Sequence, residues 1–113
     1  MSVLFLPEVS QQFVELAEIL YDKGYLCFLD TAITYSESLF RQIQSELPYK
    51  VHRKAPDWFN RIGKDMSYAV FPKSHHTTWY VFFNMYEVGK ETVYLVRYVS
   101  NNHVIAQHLE IVN

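Results

Sequence analysis

Residues 66–101 read MSYAVFPKSHHTTWYVFFNMYEVGKETVYLVRYVSN, and the fold turns on them. Three runs, 66–72, 77–86 and 92–101, are rich in Tyr, Val, Phe and Thr. Branched and aromatic side chains of this kind suit a pleated surface better than a helix. The connections at 73–76 and 87–91 are hairpin-length, and Gly89 supplies the conformational freedom that a tight turn needs. The prediction is an antiparallel three-strand meander. In its last strand Tyr94, Val96 and Tyr98 alternate with Leu95, Arg97 and Val99, so Arg97 is expected to project from one face among uncharged neighbours.

Upstream, the period changes. Residues 2–6 read as a short strand ended by Pro7. Val9, Phe13, Leu16, Ala17 and Leu20 then fall at helical spacing, with Glu15, Glu18 and Asp22 opposite and Gly24 as the stop. A second stripe comprises Leu29, Ala32, Ile33, Ser36, Leu39, Phe40, Ile43 and Leu47, and Pro48 ends it. Two amphipathic helices with a short connection form a helical hairpin, and each apolar stripe requires cover. Residues 49–65 are the least regular part, with one or two helical turns expected between Pro56 and Gly63. Residues 102–109 open a short helix capped by Asn101 or Asn102. The expected fold is α+β: an N-terminal strand, an antiparallel helical hairpin and the meander, as one two-layer domain over residues 1–113.

Composition narrows the function classes. At 113 residues, half of them hydrophobic and with only 3 glycines, the chain suits one compact domain rather than a disordered tail. No apolar run approaches the roughly 20 residues that span a bilayer, and MSVLFLPEVS lacks the basic start of a secretory leader. The expectation is a cytoplasmic protein without a membrane partner. A lone cysteine, Cys27, sits among apolar neighbours and reads as inert core.

The net charge of −2 conceals an asymmetry. Residues 1–48 hold seven acids against Lys23 and Arg41, whereas residues 49–113 hold eight bases against five acids. Lys50, Arg53, Lys54, Arg61, Lys64 and Lys73 form a basic zone opposed locally by Asp57 and Asp65. Such a zone attracts phosphates, and it equally suits a solvated charged loop. His75 and His76, being adjacent, point apart on an extended chain, and His103 and His108 are five apart, so no metal-ligand spacing emerges. Either member of the 75–76 pair can carry a proton near neutral pH. Trp58-Phe59 and Trp79-Tyr80 read as core packing or as base-stacking platforms. Glycine-rich phosphate loops, nucleophile elbows and dinucleotide fingerprints are missing, and no cofactor is expected.

The chain resembles the RelE/ParE superfamily of bacterial toxins from type II toxin–antitoxin pairs, the plasmid-stabilisation class. The likeness lies in the element order, the Ile43…Leu47-Pro48 helix exit, the strands Thr78-Trp79-Tyr80-Val81-Phe82-Phe83 and Val93-Tyr94-Leu95-Val96-Arg97-Tyr98-Val99, and the closing Asn101-Asn102-His103…His108-Leu109. It covers nearly the whole chain. Family members are ribosome-dependent messenger-RNA endonucleases or inhibitors of DNA gyrase, and an antitoxin protein neutralises them. The resemblance implies RNA contacts at Lys50, Arg53, Lys54, Arg61 and Lys73, and catalytic roles for Arg97, His103 and His76. It also implies an antitoxin partner, with homodimers as a further expectation. Two features depart from the nuclease pattern. Trp79 and Tyr80 stand where the middle strand often carries an arginine, and the total charge is acidic. A gyrase-binding toxin, or a toxin-derived interaction protein without activity, therefore stands beside the nuclease as an alternative.

Overall fold

The computed structural model describes residues 1–24 and 28–109; Cys27 lies outside them. Strand β1 (Ser2–Phe5) leads into helix α1 (Pro7–Asp22) and helix α2 (Leu29–Glu46), which a 3-10 turn, Leu47–Tyr49, extends. Strand β2 (Arg53–Lys54) and a second 3-10 segment, Asp57–Arg61, follow. Strands β3 (Ser67–Pro72), β4 (Thr78–Val88) and β5 (Glu91–Asn101) and helix α3 (Asn102–Leu109) complete the order.

Helix α1 begins where Pro7, whose ring presets a helical φ, takes the first turn, with Glu8 beside the positive end of the helix dipole. It stops at Gly24, whose φ of 76° lets its N–H reach back to the Tyr21 carbonyl. Val9, Phe13, Leu16 and Ala17 are its buried face. In α2 the buried stripe is Ala32, Ser36, Leu39 and Ile43, continued by Leu47. Ile33, expected on that stripe, is 40% exposed, and Phe40 is only half-buried, stacked on Phe5 at 4.4 Å. Buried Ser36 donates from Oγ to the Phe13 carbonyl at 2.6 Å, tying the two helices together.

The sheet has five strands in the order β1-β5-β4-β3-β2. Strands β3, β4 and β5 pair antiparallel in sequence, and two short strands extend the sheet at its edges. Strand β1 lies parallel to β5, and β2 antiparallel to β3, so the sheet is mixed rather than a bare meander. The β4–β5 hairpin closes through a two-residue turn in which Gly89 has φ 64°.

The two-layer expectation falls short as well. One sheet face (Val3, Phe71, Trp79, Val81, Phe83, Val96) packs on the helical hairpin. Aromatics on the opposite face need cover too: Phe59, from the segment Asp57–Arg61, stacks on Phe82 at 4.3 Å, and both are fully buried. Ile105 and Leu109 of α3 join Tyr68 and Met66 in the same cluster. Fully burying a phenylalanine contributes about 1.5–3 kcal/mol, so this third, partial layer is a substantial part of the core. No helix of the described residues is long and apolar enough to cross a membrane.

Candidate functional site

Strict alternation fails at one residue. Phe82 pairs with Tyr98 and Phe83 with Val96, leaving Arg97 as the extra residue of a β-bulge. Tyr94 and Val96 face the helical hairpin, and beyond the bulge Val99 does so too. A bulge re-aims side chains, here at the one cation in β5, and the ladder resumes on either side of it.

Two groups fix Arg97. Its Nε donates to Asn84 Oδ1 at 2.5 Å, and Nη2 donates to the Tyr86 hydroxyl at 2.9 Å. Asn84 is itself anchored, its Nδ2 donating to the Lys64 and Asp65 carbonyls at 3.1 and 3.3 Å. Asp65 holds a left-handed φ of 53°, a conformation that aspartate tolerates better than most residues. Gly63 leaves room for the arginine stem: a Cβ there would lie 3.0 Å from Arg97 Cδ and 2.9 Å from Met66 Sδ. Both partners of the guanidinium are neutral. The ion pairs among the described residues, Met1 with Glu91 and Arg41 with Glu37, leave Arg97 out. Its positive charge is thus held in place and paired with no carboxylate among the described residues, and Tyr86, while accepting from it, keeps a proton to donate.

The remaining basic residues do not gather around Arg97. Lys50 lies over the Phe71 ring at 4.6 Å, on the hairpin face. Arg53 and Lys54 form the exposed edge strand, in register with Tyr68 and Ser67. Arg61 packs its guanidinium 4.4 Å over Trp58 and donates from Nε to the Trp58 carbonyl at 2.9 Å. Trp58 also stacks on His108 at 3.6 Å. Lys73 donates to Gln42 Oε1 at 3.0 Å, on the hairpin side. The physical reason is the path of the chain. Residues 47–61 leave the hairpin layer, round the sheet edge as β2 and enter the opposite layer, so the basic zone wraps an edge rather than lining one concavity. Beside that edge Tyr80 has its phenol pushed above the ordinary value of 10.0 by burial and by neighbouring Tyr68, with Arg53 opposing.

The histidines sit at the far end of β5. Asn101 is the cap of α3, its Oδ1 accepting from the His103 N–H at 2.9 Å. Asn102 instead clamps the β3–β4 turn, accepting from Thr78 N and donating to the His76 carbonyl at 2.9 and 3.0 Å. His103 Nε2 is 3.2 Å from Thr77 Oγ1, and the rings of His75 and His76 are exposed with centroids 6.4 Å apart. Arg97 and Asn101 are four positions apart, about 13 Å of strand, so Arg97 and His103 do not address one phosphate. His103 shares a cleft of about 380 Å³ with Lys73, Tyr35 and Thr77. Among the described residues no three His, Cys, Asp or Glu side chains form a group that could hold a metal ion.

Sequence reasoning missed Asn84, Tyr86, Gly63 and Tyr35. The first two were recoverable: counting outward from a two-residue turn at Gly89 sets Asn84 against Leu95 and Tyr86 against Val93, hence beside Arg97. Gly63 and Tyr35 left no such signal, because their roles arise from contacts between distant elements. No family model, curated protein or solved structure matches the chain.

Proposed function

We propose that the chain is a toxin-like component of a bacterial type II toxin–antitoxin system of the RelE/ParE kind, acting in the cytoplasm on a phosphate-bearing target. One observation carries the reading: Arg97, on a bulge, pinned by Asn84 and Tyr86 and paired with no carboxylate among the described residues. A protein that merely packed an arginine would gain nothing from holding its charge rigid and uncompensated. A guanidinium in this state matches the oxygens of RNA phosphate, and better still the extra charge of a pentacovalent phosphorane. The helical hairpin on one face and the ordered pairing of β3, β4 and β5 on which it rests support the family assignment.

Ribosome-dependent messenger-RNA cleavage requires a proton carrier beside the arginine. Tyr86 can donate a proton beside Arg97, but His103 and His76, the expected proton carriers, lie apart from it, which favours a second reading, a toxin that binds without cutting, with DNA gyrase as its target. Both readings place an antitoxin on the chain. The outer side of the hairpin, where exposed Val14 and Ile33 border a groove that includes Phe40, offers it apolar contact.

Induction of the wild type and of Arg97→Ala in bacterial cells, with transcript ends mapped and the fold of each checked by circular dichroism, tests the proposal. Wild type should arrest growth and Arg97→Ala should not, with activity lower by about 10²–10³. Arrest with new transcript ends supports the nuclease; arrest without them, together with inhibited supercoiling, supports gyrase binding. No effect of the wild type on growth overturns the toxin reading.

A further inference from the structure

At the opposite end of the sheet from the β4–β5 turn, the last turns of α1, the middle of α2, the β3–β4 turn and the start of α3 enclose the cleft of about 380 Å³. Leu16, Leu20 and Trp79 give it an apolar wall. Three polar groups on its rim, Tyr35, Ser74 and Lys73, have spare donors. Trp79 donates from Nε1 to the Tyr35 hydroxyl at 2.8 Å, which leaves the Tyr35 proton to point elsewhere. Ser74 Oγ accepts from the main-chain N–H groups of His76 and Thr77 at 3.3 and 3.1 Å, so its own proton is also left to donate. Half-buried Lys73 gives one of its three N–H bonds to neutral Gln42 Oε1 and lies 5.8 Å over the Tyr35 ring. Lys23, Thr77, Asn101 and His103 complete the rim, and among the described residues no carboxylate lines the cleft.

We propose that this cleft binds a small organic anion, a carboxylate or phosphate carried on an aryl or short alkyl body. Lys73, Ser74 and Tyr35 would receive the head group, and Trp79 with Leu16 and Leu20 would receive the body. The physical case has two halves. An un-neutralised ammonium flanked by hydroxyl donors in a partly dry recess favours an anion over any neutral or cationic ligand. The apolar wall distinguishes an organic anion from a hydrated inorganic one, which gains nothing from leaving water for such a surface. Size sets the rest: ligand sites run from about 300 to 1,000 Å³, so this cleft takes a single ring with its head group rather than a dinucleotide or an extended chain. The site is separate from the Arg97 surface and stands whether or not that surface binds RNA.

Titration of the full ¹⁵N-labelled chain with phenyl phosphate, benzoate, inorganic phosphate and benzyl alcohol tests it by NMR. Phenyl phosphate or benzoate should move the Trp79 indole resonance and leave that of Trp58 in place, with either head-group preference supporting the site. Lys73→Gln should weaken binding about tenfold, as expected for loss of a charge-assisted hydrogen bond, and Lys90→Gln in the distant turn should leave it unchanged. Four results would each overturn the proposal. These are inorganic phosphate binding as tightly as the organic anions, benzyl alcohol doing so, an unmoved Trp79 resonance with both organic anions, or unaltered affinity in folded Lys73→Gln. His103→Gln gives a second variant if Lys73→Gln proves unstable, with a measurable loss of affinity expected and no change counting against the site.

Discussion

Gly63→Ala is the substitution whose sign depends most directly on the packing around Arg97. Gly63 does not hold a positive φ, so alanine meets no backbone penalty there. By unfolded-chain entropy alone, alanine would stabilise by about 0.4–1 kcal/mol. Against this stands crowding: the new methyl would lie 2.9 Å from Met66 Sδ, 3.3 Å from Met66 Cγ and 3.0 Å from Arg97 Cδ. A methionine thioether usually adapts, but Met66 is 1% exposed, among Phe59, Phe82 and Tyr68, and has little room to retreat. Arg97 Cδ is the middle of a side chain whose far end is held by two hydrogen bonds. Overpacking a filled site costs about 1–3 kcal/mol, so crowding wins and the net effect is destabilisation by about 0.5–2 kcal/mol. With a urea slope near 1.5 kcal/mol/M, the midpoint should fall by roughly 0.3–1.3 M while the slope stays unchanged. In the induction assay the same variant should lose most of its effect on growth, because the guanidinium can no longer keep both partners. A midpoint equal to or above wild type would refute the packing argument and would mean that Met66 and Arg97 move freely.

Two further outcomes are expected. Leu39→Ala should cost about 2–5 kcal/mol in urea denaturation, because Leu39 is fully buried between the hairpin and the sheet, whereas Ile33→Ala on the exposed side should cost far less; equal losses would mean the helix faces are misassigned. The raised phenol of Tyr80 makes stability pH-dependent at the alkaline end. The unfolded phenol ionises first, so the contribution is complete below about pH 10 and is lost as pH rises through the folded value. Tyr80→Phe should remove that part of the decline, and identical alkaline profiles would show that the group does not contribute.

The sequence by itself determined the local structure, because local structure depends on near neighbours. Pro7 and Gly24 bracket α1, the spacing of Ala32, Ser36, Leu39 and Ile43 marks the buried side of α2, and Gly89 marks the hairpin between two strands that alternate in type. It also singled out Arg97, since a lone charge in an aromatic strand is anomalous wherever that strand lies. Tertiary structure decided what the charges do. The chain's passage around the sheet edge sets Lys50 on the hairpin face and Arg61 in the opposite layer, although both belong to one basic stretch of sequence, and neither joins Arg97. One unpaired residue in the β4–β5 ladder decides the direction of Arg97, and a periodic reading cannot register it, because a bulge exists only relative to the partner strand. Likewise Lys73 and Tyr35 lie 38 positions apart in the chain and meet only when α2 packs beside the β3–β4 turn, so their cleft is a property of the packed layers. Local interactions specify elements within a few residues; a site assembled from several elements is specified only when their apolar faces have found one another.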